Sequence, residues 1–151
     1  MKQKLIELKV EGIAVDHNSA PVVILRDKDG DRTLNIWIGP AEAVAITREL
    51  EQQHLPRPMT HDLIRNIFSE LGVEVESLVI SDVRDDTYFA SLALVFNAGR
   101  KDVDCRPSDG IAIALRTSSP MFIAEELLDR IDEERKARES AFVVDSGGTI
   151  H

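Results

Sequence analysis

Two short stretches set an acid, a proline and an arginine just ahead of helical patterning: Arg57-Pro58-Met59-Thr60-His61-Asp62 and Asp104-Cys105-Arg106-Pro107-Ser108-Asp109. A third stretch, Gly39-Pro40-Ala41-Glu42, adds one more acid at a proline-led helix start. Carboxylates such as Glu42, Asp62, Asp104 and Asp109 are oxygen ligands for hard divalent cations. His61 is a group that can take up or release a proton near neutral pH. Arg57 and Arg106 carry planar guanidinia able to grip two oxygens of an anion at once. Helix N-termini attract anions through their free N–H groups, so both segments could contribute to one electropositive pocket.

The same residues have a purely structural reading. Thr60 and Ser108 are helix-capping types, and Glu42, Asp62 and Asp109 in a first turn suit the helix dipole. Arg57 and Arg106 could pair with those acids to fix the connectors, and Asp104 needs no role beyond a solvated strand end. A simple discriminator follows. Convergence of His61, Asp62, Asp104 and Asp109 on one concave surface favours chemistry, whereas burial in arginine pairs favours a binding module.

The elements that must position these groups are legible from periodicity. Ile6, Leu8 and Val10 alternate with Glu7, Lys9 and Glu11, a half-buried strand that continues toward Val15. Val22 to Leu25 and Thr33 to Ile38 flank an Asp-rich hairpin turn at residues 27–31, so three antiparallel strands open the chain. Trp37 falls on the face opposite Leu34, Ile36 and Ile38, where packing against a second copy is its expected role. A helix is predicted from about Ala41 to Gln53, with Pro40 in its first turn. A second runs from an N-cap at Thr60 through Leu63, Ile64, Ile67, Phe68 and Leu71 to a C-cap at Gly72. Strands return at Val73 to Val83 and Tyr88 to Phe96, with a short third ending near Cys105. Pro107 opens a third helix over Ser108 to Arg116, with Ile111, Ala112 and Leu115 as its buried stripe. Met121 to Ile123 is a short apolar piece, and Ala124 to about Glu139 is a charged helix. Asp145 to Gly148 reads as a mobile tail. No repeat long enough for a solenoid is present. This order spells an α+β fold, mostly antiparallel strands with about four helices in a single compact domain. Its expected extent is residues 1–128, followed by a charged helix end and flexible tail over 129–151.

Composition narrows the function classes. With 151 residues, 43% hydrophobic and 30% charged, the chain suits one folded domain. No apolar run approaches membrane-spanning length, and charges at Glu7, Lys9 and Glu11 interrupt any signal-like apolar region. The single cysteine, Cys105, makes no internal disulfide, so the cytoplasm is the expected compartment. A net charge of −9 argues against avid, non-specific duplex binding, because phosphate contacts need a basic surplus. Residues from Glu125 onward hold eight acids and four bases, so trimming them leaves the rest still acidic. The four histidines lack close metal-ligand spacing, and one cysteine builds no zinc site. The Asp27–Asp31 run begins like a calcium loop, but its glycine is misplaced and Ile38 stands where the closing glutamate belongs. There is no P-loop and no dinucleotide-binding glycine fingerprint.

Three stretches taken together resemble the bifunctional nuclease domain. They are Ile36-Trp37-Ile38-Gly39 with Glu42-Ala43, then Arg57-Pro58-Met59-Thr60-His61-Asp62-Leu63, then Arg106-Pro107-Ser108-Asp109 leading into Ile111-Ala112-Ile113-Ala114-Leu115-Arg116. Tyr88-Phe89-Ala90 lies between the second and third, and the resemblance covers roughly residues 5 to 128. It implies a mixed α+β domain, a homo-oligomer, and phosphodiester hydrolysis of DNA and RNA. On that reading Asp62, Asp104 and Asp109 would hold Mg²⁺ or Mn²⁺, and His61 would be the general base with Glu42 beside it. Arg57 and Arg106 would then bind substrate phosphates. The alternative is a non-catalytic oligomeric module that binds a small anion or a partner protein through the same pocket.

Overall fold

The computed structural model describes residues 3–148, with side chains through residue 141. Strands β1 (Leu5–Val15), β2 (Pro21–Asp27) and β3 (Thr33–Trp37) form an antiparallel meander, as the alternation predicts. A register shift between Val10 and Gly12 inserts a bulge into β1. It resets the alternation, so Ile6, Leu8 and Val10 pack on the core before it and Ile13 does so after it. Helix α1 (Pro40–Leu50) follows, with Gly39 as its N-cap and Pro40 in its first turn. It stops three residues short of the predicted Gln53, because the chain turns left-handed at Gln52 (φ 56°). Helix α2 (Thr60–Leu71) ends on Gly72 at φ 70°, the left-handed C-cap expected of a glycine.

The second half repeats the plan. Strands β4 (Glu74–Arg84), β5 (Thr87–Phe96) and β6 (Gly99–Cys105) make another antiparallel meander, followed by helix α3 (Pro107–Thr117). Asp85 and Asp86 both take positive φ, 49° and 62°, which matches the twist of a two-residue hairpin. Strand β7 (Met121–Ala124) then slots between the halves, antiparallel to β1 and parallel to β4. The seven-stranded sheet therefore runs β3-β2-β1-β7-β4-β5-β6, reading the same outward from β7 on either side. Helix α4 (Glu125–Gly148) closes the described chain, passing the predicted end near Glu139. Asp145–Gly148, expected as a mobile tail, are therefore the last residues of this helix, and residues 149–151 lie outside the described residues.

One core serves the whole domain. Leu8, Val23, Leu25 and Leu34 join Leu78, Ile80 and Leu92 through Ile123 of the central strand. Helix α1 packs over β1 and β2, α3 over β4 and β5, and the two helices contact each other. Gly110 makes the α3 contact possible. A Cβ there would press on Leu78 Cδ1 and stand 3.0 Å from Cys105 Sγ. The start of α3 is thus drawn down onto the sheet, and this fixes where Asp109 emerges.

Candidate functional site

Four of the residues singled out by type and spacing converge where α1, α2 and α3 begin. His61 is buried, 7% exposed, and its Nε2 lies 2.9 Å from Asp109 Oδ1. The other Asp109 oxygen, Oδ2, accepts from Arg106 Nε at 2.8 Å. Arg106 Nη1 stands 3.2 Å from Glu42 Oε1. The result is a continuous line, His61–Asp109–Arg106–Glu42, drawn from three separate helix starts. Burial pushes the Asp109 carboxyl up, but the Arg106 guanidinium and the His61 hydrogen bond outweigh it and hold it below its ordinary value. The bond to Asp109 holds the Arg106 guanidinium above its own. An ionised carboxylate only accepts hydrogen bonds, so His61 Nε2 must carry a proton toward Asp109.

Asp62 belongs to a second, separate arrangement. Its Oδ2 accepts from the Met59 backbone N–H at 3.0 Å, and its Oδ1 from Arg116 Nε at 2.7 Å. The N-cap of α2 is therefore Met59, and the predicted cap Thr60 is already the first helical residue. Asp62 provides the reach-back bond of a capping box. Ser108 likewise lies inside α3, buried, with Arg106 at the cap position. Arg116 also donates to the carbonyls of Ala112 and Ala45, at 2.9 and 3.1 Å. Sequence reasoning did not single out Arg116 as a partner of Asp62. The signal was available: Ile111 to Leu115 offers no polar face, so a charge at its end had to be buried and paired.

The remaining candidates stand apart. Arg57 sits on the exposed connector before α2 and lines neither cavity described below. Asp104 lies on β6, the edge strand, exposed and opposite Ser91. Trp37 is 59% exposed on the other edge strand, as alternation predicts, and its indole N–H donates to Asp16 Oδ2 at 2.8 Å.

Asp62, Asp104 and Asp109 do not fit a shared Mg²⁺ or Mn²⁺. Both oxygens of Asp62 and both of Asp109 are already engaged, two of the four by arginine. Among the described residues no group of three or more His, Cys, Asp or Glu side chains is placed to hold a metal ion.

Glu42, Arg106, Pro107 and Ser108 face a groove of about 1230 Å³ that runs along β3 to the β4–β5 turn and α4. His61 and Asp109 stand one ion pair back from it. Its charged lining comprises Glu42, Asp85, Asp86, Asp132, Glu134 and Glu139, against arginines 106, 135 and 138. Each arginine is already paired: Arg106 with Glu42 and Asp109, Arg135 with Asp132 and Glu139, Arg138 with Asp86.

Comparison with known proteins identifies the family of the chain. The chain matches the Bifunctional nuclease domain over residues 23–136. It is 42% identical over 137 residues to Uncharacterized protein Rv1829 of Mycobacterium tuberculosis, covering 85% of this chain and 82% of that protein. It is 28% identical over 111 residues to Bifunctional nuclease 2 of Oryza sativa subsp. japonica, covering 71% of this chain and 34% of the plant protein. Bifunctional nuclease 1 of Arabidopsis thaliana is 28% identical over 116 residues, with 74% of this chain and 36% of that protein covered. No helix among the described residues is long and apolar enough to cross a membrane. The chain belongs to the bifunctional nuclease domain family.

Proposed function

We propose that this domain hydrolyses phosphodiester bonds in single-stranded DNA and RNA, at the point where Arg106 and Glu42 meet the groove. The observation that carries the reading is the His61–Asp109–Arg106–Glu42 line, whose outer members face that groove. Asp109, fixed against His61 Nε2, holds Arg106 from behind the groove. Glu42, which lines the groove, is the carboxylate placed to take a proton from the attacking water, while the P–O bond that breaks releases an alkoxide that takes up a proton from solvent. The Arg106 guanidinium, 65% exposed and anchored from two sides, offers its remaining N–H groups to the phosphoryl oxygens as charge builds on them. No step is assigned to a metal ion. The plant relatives named as bifunctional nucleases add support, and a cytoplasmic setting fits the single, half-buried Cys105.

The test is cleavage of single-stranded DNA and RNA by purified wild type, Glu42→Gln and Arg106→Ala, with and without Mg²⁺ or Mn²⁺. The expected result is a rate loss of about 10²-fold or more in each variant, the usual size of one acid–base or charge-stabilising group. Equal rates in all three preparations would reject the assignment.

A specific observation favours a second reading, a non-catalytic oligomeric module. Asp62 and Asp109 are both held by arginines, and Glu42 shares Arg106, so the network also serves to lock three helix starts together. In either case a second copy of the chain is the proposed cover for the exposed face of α2, with Trp37 the alternative contact.

A further inference from the structure

A cavity of about 290 Å³, which shares no lining residue with the groove, lies between the end of α1, the connector and α2. Three arginines line it: Arg48 near the end of α1, Arg65 on α2 and Arg116 on α3. Its acids are Glu49 and Asp62, and Asp62 is already answered by Arg116 at 2.7 Å. Arg48 and Arg65 make no ion pair among the described residues, and Arg65 spends Nε and Nη2 on the neutral Asn66 Oδ1. Arg48 Nε is enclosed by protein and has no hydrogen-bond partner, alone in this respect among the described side-chain atoms. A desolvated donor on a permanent cation is costly to leave unanswered. The cavity is thus a cationic recess in a chain of net charge −9, while the larger groove is acidic and its arginines are already paired.

We infer that this recess is a phosphate site, one that takes inorganic phosphate or the phosphate of a small monoester. A phosphate dianion supplies counter-charge to the Arg48 and Arg65 guanidinia that line the cavity, while Arg48 Nε itself stays sealed in protein. Two planar guanidinia suit its oxygens, and the Asn66 amide can add a neutral donor. The volume lies near the lower end of small-molecule pockets, enough for a phosphate with a modest organic remainder. The inference stands whether or not the domain is a nuclease, because it shares no residue with the His61–Asp109–Arg106–Glu42 line.

The test is calorimetric titration of the whole chain with inorganic phosphate, adenosine 5′-monophosphate and adenosine, each at matched ionic strength. Wild type is compared with Arg48→Gln, Arg65→Gln and, as a control on a distant strand, Lys101→Gln. Saturable phosphate binding at millimolar concentrations or below is expected. It should weaken about tenfold or more in Arg48→Gln and in Arg65→Gln and stay unchanged in Lys101→Gln, since each lost contact is a charge-assisted one. If Arg48→Gln does not fold, Arg65→Gln alone decides. Tighter binding of the mononucleotide than of phosphate would identify an organic monoester, and equal binding the free ion. The inference is overturned if neither phosphate compound saturates, if both arginine variants bind as wild type does, or if adenosine binds as well as its monophosphate.

Discussion

Arg116 Nε donates to Asp62 Oδ1 at 2.7 Å from a side chain only 3% exposed, joining residues 54 positions apart. The end of α3 is thereby tied to the start of α2. Because Asp62 also caps α2 through the Met59 N–H, one carboxylate sets the angle at which that helix meets α3. The next residue back, His61, then reaches Asp109 at the far end of α3. The Arg116–Asp62 pair and the His61–Asp109 pair are two ends of one helix–helix contact.

Truncating Arg116 to alanine should therefore do more than remove a charge. It leaves Asp62 without its partner and frees two buried carbonyls, a loss expected to cost about 3 kcal/mol. Arg116→Lys keeps the charge but not the fork, so it should recover only part of that. Urea unfolding of the three proteins checks the order, and a wild-type midpoint for Arg116→Ala would contradict it.

Acid should weaken the domain in a definite window. Burial raises the Asp62 carboxyl, but Met59 N–H and Arg116 outweigh it, so Asp62 and Asp109 both sit below the ordinary 3.8. The Arg84 side chain, with the Val83 N–H and Arg130, draws Asp82 down to about 2. A depressed carboxyl contributes stability above its unfolded value and loses it as pH falls through the folded one. The contribution of these three carboxyls should thus be complete well above 3.8 and decline from there toward about 2. Asp62→Asn should shrink the decline in an unfolding series against pH; an unchanged slope would assign the acid sensitivity elsewhere.

Gly110 offers a test of how tightly α3 is seated. Adding a methyl there presses on Leu78, a core side chain with no exposed surface, and on Cys105 Sγ at 3.0 Å. Gly110→Ala should destabilise by about 1–3 kcal/mol despite the better helix propensity of alanine. Leu78→Ala placed in the same chain should relieve part of that overpacking. A double-mutant cycle in which the two effects simply add would show that the contact relaxes freely.

Cys105 should be a poor nucleophile. Burial, then the charges of Asp104 and Asp109, push its thiol up to about 12, so almost none is thiolate near neutral pH. A thiol-directed alkylating reagent should label the denatured chain promptly and the native one at a small fraction of that rate. Comparable rates would mean that α3 lifts off the sheet easily.

Much of the fold could be read in advance because alternation and helical spacing mark burial directly: Leu34, Ile36 and exposed Trp37 obey period two without exception. Strand β7 could not, since four apolar residues carry no period and its place between β1 and β4 depends on both halves being formed. The duplicated plan is equally hidden in the sequence. Pro40-Ala41-Glu42-Ala43 and Pro107-Ser108-Asp109-Gly110 hold the same place in each half, but only the palindromic sheet order makes that visible. In the site, residue type picked out His61, Asp109, Arg106 and Glu42 correctly as neighbours of helix starts. Which acid meets which arginine depends on helix packing, so Asp62 found Arg116, while Arg57 and Asp104 stayed on the surface.

The outer face of α2 calls for a partner. Met59, Leu63, Ile67 and Leu71 recur every fourth residue and are 46%, 51%, 45% and 71% exposed, while Ile64 and Phe68 face the core. A stripe of this kind on a helix is an expected contact between copies. Leu63→Glu with Ile67→Glu should lower the solution mass measured by light scattering, with the circular dichroism spectrum unchanged. A monomeric wild type would mean that no such contact forms, and dissociation by Trp37→Ala alone would place it on β3.

Salt should distinguish this domain from proteins that hold nucleic acid by charge. A protein that neutralises six to ten phosphates loses about 10³–10⁵ in affinity between about 50 and 200 mM salt, because bound counterions are released. Here the groove lining has six carboxylates and three arginines, and all three arginines are paired within or beside it. Few counterions are therefore displaced when a strand enters, and screening also softens repulsion from the acids. Over the same salt interval, kcat/KM for single-stranded substrate should fall by less than about tenfold. A steep loss would mean that the strand follows a different and more basic path, and the arginines around the smaller cavity would be the first place to look.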